Sequence, residues 1–245
     1  MRGIFILTAS ALSLALAACS AGARESDGEA RTASRDFQVG AFRSVSLTGS
    51  PDVVVTVGGT PSVRAEGDAR LVERLDIRVE DGDLKIGYRE RNSWSFGFHR
   101  DRHVTIHVTV PALAAATLTG SGDMRVDRVQ GDRFVATVTG SGDLEVGQLR
   151  AAEAVFTLTG SGAIRARGSA QRSHVELAGS GDVDLAGLEI RDAVVSLHGS
   201  GDVSANATGA ARVTLMGSGD VSITGPARCQ IEKRGSGEVH CAAQG

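Results

Sequence analysis

The first arrangement in this 245-residue chain that could do chemistry is a series of acidic residues at a nearly constant interval. Asp123, Asp143, Asp182, Asp202, Asp220 and Glu238 each follow a Gly-Ser-Gly triplet, and Ala163 stands where one acid is missing. If the triplets stack, neighbouring carboxylates lie about 5 Å apart and repel by about 1 kcal/mol or less in water. Calcium could bridge such a column. Gly-rich calcium repeats, however, bring their Gly and Asp round in nonapeptides, twice as often as this motif. The preferred reading is that each Asp accepts backbone N–H groups in its own corner, an Asx-type turn. The histidines give no better metal site. His99, His103 and His107 fall four apart, which on a helix would suggest a metal, but the local pattern is a strand; His174, His198 and His240 are isolated. No metal or other cofactor is expected. The seven Gly-Ser-Gly serines lack the Gly-x-Ser-x-Gly frame, and a nucleophile is needed once, so their repetition points to geometry and no catalytic residue is assigned.

Two further groups stand out. Trp94, Phe96 and Phe98 form a ring cluster flanked by Arg89, Arg91, Arg100 and Arg102. It either contacts a ligand or covers the first turn of the fold. Cys229 and Cys241 lie twelve positions apart near the C-terminus; in an exported protein they would pair as a disulfide rather than act as free thiols or half of a metal site, since no CxxC or clustered His accompanies them.

Export is what the N-terminus indicates. One positive charge, Arg2, precedes an apolar run from Ile4 to Ala17, too short for a comfortable membrane span. It reads as a secretory signal over residues 1–18. Its end, Leu16-Ala17-Ala18-Cys19, resembles the lipobox of bacterial lipoproteins, which implies cleavage before Cys19 and lipid on that residue. Residues 19–35 are small, polar and aperiodic, the composition of a flexible tether. The formal charge of −3 argues against nucleic acid as a partner. The 41 % hydrophobic content argues against disorder.

The elements that must position the acids follow from the period. The triplets begin at Gly120, Gly140, Gly160, Gly179, Gly199, Gly217 and Gly235, 18 to 20 residues apart. Before each, apolar residues alternate with polar ones: Ala116 and Leu118, Phe156 and Leu158, Val195 and Leu197. After each, Leu144 and Val146 or Val203 and Ala205 do the same. Such alternation is a strand with one buried face. A unit this short cannot build a core alone, but stacked coils can. The architecture is therefore an all-β, single-stranded β-solenoid, or β-helix, over residues 113–245. Its aliphatic ladders fill a narrow interior, which fits an aromatic content of 4 %. A β-propeller needs about forty residues per blade, and a transmembrane barrel needs strands of about 9–11 residues; neither fits. Residues 36–112 lack the regular triplet but remain strand-like, with a degenerate corner at Gly49-Ser50-Pro51-Asp52, a helical turn at Ala69 to Arg74, and a hairpin turning at Asp81-Gly82. This part is expected to cap the first coil. Lys233 breaks the inward column and marks the other cap.

The serial triplets and the Glu80-Asp81-Gly82-Asp83-Leu84-Lys85-Ile86 segment together resemble a bacterial family of adhesin-head proteins, the DUF2807 or head GIN domain family, over about residues 38–240. The resemblance implies a pectin-lyase-like, right-handed β-helix, exported and without catalytic residues, with cell-surface adhesion as its role. It transfers no active site; Ala163 departs from the acidic position and Glu238 varies it. The function expected is a non-catalytic, lipid-anchored lipoprotein of the bacterial envelope, at the outer membrane. It would serve adhesion, scaffolding or ligand display, with an envelope glycan or surface protein as partner. The alternative is a polysaccharide-binding or polysaccharide-degrading enzyme that uses the ring-bearing front loop.

Overall fold

A computed structural model describes residues 32–89 and 103–242. Cys19, the signal segment, and Trp94, Phe96, Phe98 and His99 lie outside the described residues. Of those described, 76 % are in strands and 3 % in helix, so the core has to come from strand-on-strand stacking.

In chain order the elements are β1 (Thr32–Phe37), β2 (Ser44–Gly49), β3 (Asp52–Val57), β4 (Ser62–Asp68), α1 (Ala69–Arg74), β5 (Leu75–Glu80), β6 (Asp83–Tyr88), β7 (Val104–Val110) and β8 (Ala115–Gly120). They continue as β9 (Met124–Gly140), β10 (Asp143–Gly160), β11 (Ala163–Gly179), β12 (Asp182–Gly199), β13 (Val203–Gly217), β14 (Val221–Thr224), β15 (Arg228–Gly235) and β16 (Val239–Cys241). The long strands β9 to β13 bend round the coil and pair in parallel along nearly their whole length. The result is a β-solenoid of about 6 turns.

Alternation and period together impose this stack. In register, Leu118, Val138, Leu158, Leu177, Leu197 and Leu215 form one inward column, every member 0 % exposed. Beside it run Ala116, Ala136, Phe156, Val175, Val195 and Val213, equally buried. Two rings share the lumen by trading volume with alanine: Phe134 lies in register with Ala154, and Ala136 with Phe156. Full burial of a side chain of this size contributes about 1.5–3 kcal/mol, so each coil gains its stability from the coils above and below.

The front segment belongs to the same stack. β2, the Gly49–Asp52 corner and β3 form a coil in register with the regular ones, with Gly49 opposite Gly120. β6 pairs in parallel on the other side of β2, and β7 on the other side of β3. Outside these, pairing turns antiparallel: β5 on β6, β4 on β7 and β1 on β4. Residues 32–35 thus lie in strand β1 rather than in the tether to which their composition assigns them. The β5–β6 turn has positive φ at both Asp81 (52°) and Gly82 (77°), the requirement of a type I′ hairpin. Asp68 caps α1 by accepting from the Arg70 and Leu71 N–H groups at 3.0 and 3.3 Å, and the helix buries Val72. At the far end a disulfide joins Cys229 on β15 to Cys241 on β16, with their Cα atoms 6.6 Å apart.

Candidate functional site

The corners carry the residues that the repeat singles out. Each first glycine has positive φ, from 125° at Gly140 to 140° at Gly199 and Gly217. A Cβ on Gly140 would land on the Gly120 carbonyl oxygen, and one on Gly142 on the Gly122 carbonyl oxygen. Both glycines of the triplet are therefore required by the close approach of the preceding coil. That approach makes a ladder. The Gly120 carbonyl accepts the N–H groups of Ser141 (2.9 Å) and Gly142 (3.1 Å), and the Gly140 carbonyl those of Ser161 (2.8 Å) and Gly162 (3.1 Å). The pattern runs on to Gly217, which accepts from Ser236 and Gly237 at 2.9 and 3.2 Å.

The acidic side chains add a second ladder. Asp52 Oδ1 accepts the Asp123 N–H at 3.0 Å, Asp123 that of Asp143 at 3.1 Å, and Asp143 that of Ala163 at 3.0 Å. Asp182 accepts from Asp202, Asp202 from Asp220, and Asp220 from Glu238, at 3.2, 2.9 and 2.7 Å. The expected Asx turn is thus corrected: each Asp of the column accepts a backbone N–H, but from the next coil and not from its own corner. Where Ala163 has no carboxylate to offer, the Asp182 N–H turns to the Gly162 carbonyl at 3.1 Å. Among the described residues no group of three His, Cys, Asp or Glu side chains has metal-holding geometry. Within the same set His107 sits in β7 between Arg64 and Val54, and the His103 carbonyl accepts the Asp68 N–H at 3.2 Å.

The corners are thereby structural, and what remains for recognition is the outer wall. The two sides of the corner differ. After it, Arg125, Glu145, Arg165 and Asp184 alternate in sign down the stack. Arg165 Nη1 donates to Asp143 Oδ2 at 2.9 Å, and that bond raises the guanidinium above its ordinary value. Before the corner, Arg133, Glu153, Arg172 and Asp192 alternate likewise along one rim. Past that rim the wall is neutral over four rungs, from β2 to β10, bounded by His174 and Glu176 on one side and by Asp83 and Lys85 on the other. Val135, Thr137 and Thr139 lie directly beside Val155, Thr157 and Thr159, with Ala115, Thr117 and Thr119 on the other flank. The Ser44, Ser46 and Thr48 rung continues it. Hydroxyls and methyls here repeat at one strand spacing, about 4.8 Å, on a rigid sheet. Sequence reasoning located the corner residues but missed this patch; its signal was the Thr-x-Thr that precedes three of the triplets. Gln171, Glu189, Arg191 and Thr208 edge a half-open groove between coils.

This geometry defines a class, rigid β-solenoids that present walls rather than clefts, and comparison gives it a family. The family model described as "putative auto-transporter adhesin, head GIN domain", DUF2807, matches residues 41–227, and the chain belongs to that family. Among solved structures, a putative adhesin from Bacteroides fragilis NCTC 9343 superposes with a TM-score of 0.76 at 20 % identity, covering 86 % of this chain and 97 % of that one. A putative lipid binding protein from Parabacteroides distasonis ATCC 8503 gives 0.68 at 22 % identity, covering 88 % and 98 %. A putative adhesin from Parabacteroides merdae ATCC 43184 gives 0.66 at 17 %, covering 87 % and 97 %. At such identities the likeness speaks for the fold. No curated protein matches the chain. Among the described residues no helix is long and apolar enough to cross a membrane.

Proposed function

We propose that this chain is a non-catalytic envelope lipoprotein, tethered through lipid on Cys19, whose neutral Thr-bearing wall binds a hydroxyl-rich surface polymer in an adhesin-like role. The observation that carries the reading is the contrast between two walls: alternating charges on one wall and rim, and four successive uncharged rungs of hydroxyls and methyls, from Ser44–Thr48 to Val155–Thr159, on the other. The lumen is filled by side chains, which leaves the exterior as the recognition surface. The family description and the two adhesin structures support an adhesin-like role without catalysis. A neutral envelope glycan suits the patch, since it offers hydroxyls at regular intervals and brings no charge that would need a partner.

The test is binding of the full chain to isolated envelope polysaccharides and to whole cells. Thr137→Lys with Thr157→Lys should abolish retention, whereas Arg125→Gln on the other wall should leave it intact. Equal loss from both would sink the assignment of the face. Turnover of the polymer would transfer the chain to the enzyme reading. Metabolic labelling with a tagged acyl chain should mark the native protein, and Cys19→Ala should release it from the membrane fraction.

A further inference from the structure

Among the described residues most coils of this stack have a neighbour on both sides, whereas the coil of β15 and β16 has one on a single side. Among the described residues β15 pairs only with β13, and β16 only with β14, so both present an open edge of backbone donors and acceptors. The floor of that coil is the continuation of the core. Cys229, Ile231 and Lys233 lie in register with Ala211, Val213 and Leu215, and Val239 with Val221. Ile231 is 49 % exposed, the most of any large hydrophobic side chain described. Parallel strands, an aliphatic floor and unpaired edges form the kind of surface on which a further coil, or an equivalent surface of another molecule, would stack. The opposite end differs: there the outermost strands, β1 and β5, pair antiparallel on the stack and close it with a different geometry. The C-terminal end therefore matches another C-terminal end better than it matches the front, and the contact it favours is a two-fold one between copies of this chain.

One residue stands against that contact. The column of Leu118, Val138, Leu158, Leu177, Leu197 and Leu215 ends in Lys233. Its ammonium donates to the Gly237 carbonyl at 2.9 Å. The Gly162 carbonyl, at the corner where Ala163 replaces the acid, is likewise bonded, by the Asp182 N–H of the next coil. Lys233 thus satisfies the Gly237 carbonyl from within its own coil. It also sets a charge on the apolar floor, and burying that charge against a second molecule costs more than the aliphatic contact returns.

We propose that Lys233 is the residue that keeps the C-terminal end of the solenoid from pairing with a second copy of this chain. The native chain is then a monomer through this end, held so by an inward-pointing charge on an otherwise complete interface. Removing the charge uncovers an isologous surface made of β15, Ile231 and the Lys233 position.

Sedimentation velocity of the full chain in mild detergent, across a concentration series, tests this. The native chain should sediment as a monomer and Lys233→Leu as a dimer of twice the mass. Adding Ile231→Lys to Lys233→Leu should return the monomer. Circular dichroism melting reports whether each variant is folded. If Lys233→Leu does not fold, Lys233→Met, which keeps an unbranched stem, decides in its place. A folded variant that stays monomeric at every concentration overturns the proposal. So does a native chain that already pairs through β15, or a Lys233→Leu dimer that survives Ile231→Lys. None of these readouts depends on the glycan, so failure here is separable from failure of the adhesin reading.

Discussion

At the scale of single residues, two chemistries hold the corners, and they differ in how replaceable they are. The Gly160 backbone has φ of 126°, and a Cβ there would strike the Gly140 carbonyl oxygen, itself the acceptor for Ser161 and Gly162. Gly160→Ala should therefore cost about 2–4 kcal/mol from backbone strain plus a displaced coil. Gly131, with nothing within 4 Å of its would-be Cβ and no positive φ, is the control. Gly131→Ala should be neutral or stabilising by up to about 1 kcal/mol. Urea denaturation separates the two, and equal effects would refute the close-approach argument. The carboxylates are softer. Asp143 accepts the Ala163 N–H and pairs with Arg165, but the chain already tolerates a missing acid at Ala163, where a carbonyl substitutes as acceptor. Asp143→Ala should then cost only about 1 kcal/mol. Asp143→Asn, which keeps an acceptor oxygen and loses an exposed ion pair, should cost a few tenths. An Asn variant as damaged as the Ala variant would show that charge, and not the coil-to-coil bond, is what the position supplies.

At the scale of elements, the regular coils were legible because periodicity and alternation specify the same thing twice: which residues face inward, and which lie above one another. Leu158, Leu177 and Leu197 had to stack once Gly160, Gly179 and Gly199 did. The Asp81-Gly82 hairpin was legible from turn chemistry. The placing of β6 and β7 on the outer side of β2 and β3 was not, because alternation reveals a buried face and not the strand that will lie beside it. The acidic residues share that limit: their spacing announced a column, but the direction of each hydrogen bond depends on the neighbouring coil. The β5–β6 hairpin also carries a charge cluster. Hydrogen bonds from Lys85 and Arg78 hold Glu80 well below the carboxylate range, at about 2. A depressed folded value means that the stabilisation is complete above the ordinary value of 4.5 and is lost as pH falls toward about 2. Side-chain NMR titration should place Glu80 well below the ordinary value of 4.5. Glu80→Gln should remove part of the acid-side loss of hairpin protection. A normal Glu80 midpoint would show the cluster to be loose in solution.

At the scale of the whole molecule, the solenoid is nearly one-dimensional, so stability is local and an end can loosen without the middle. Hydrogen-bonded neighbours on both sides hold β9 to β12, whereas β15 and β16 have one each among the described residues. The Cys229–Cys241 bond ties those two strands covalently across the floor of the last coil. Closing a loop of this length restricts the loosened segment by about 3 kcal/mol. Where the fraying is local, that restriction acts on β15 and β16 and hardly at all on a coil four rungs away. Reduction should therefore speed amide exchange in β15 and β16 by about a hundredfold, taking tenfold per 1.4 kcal/mol, and leave β10 and β11 unchanged. Cys229→Ala with Cys241→Ala should give the same pattern without reductant. Exchange that rises uniformly along the stack would mean that the coils unfold as one cooperative unit, and with it the picture of additive, separable rungs would fail.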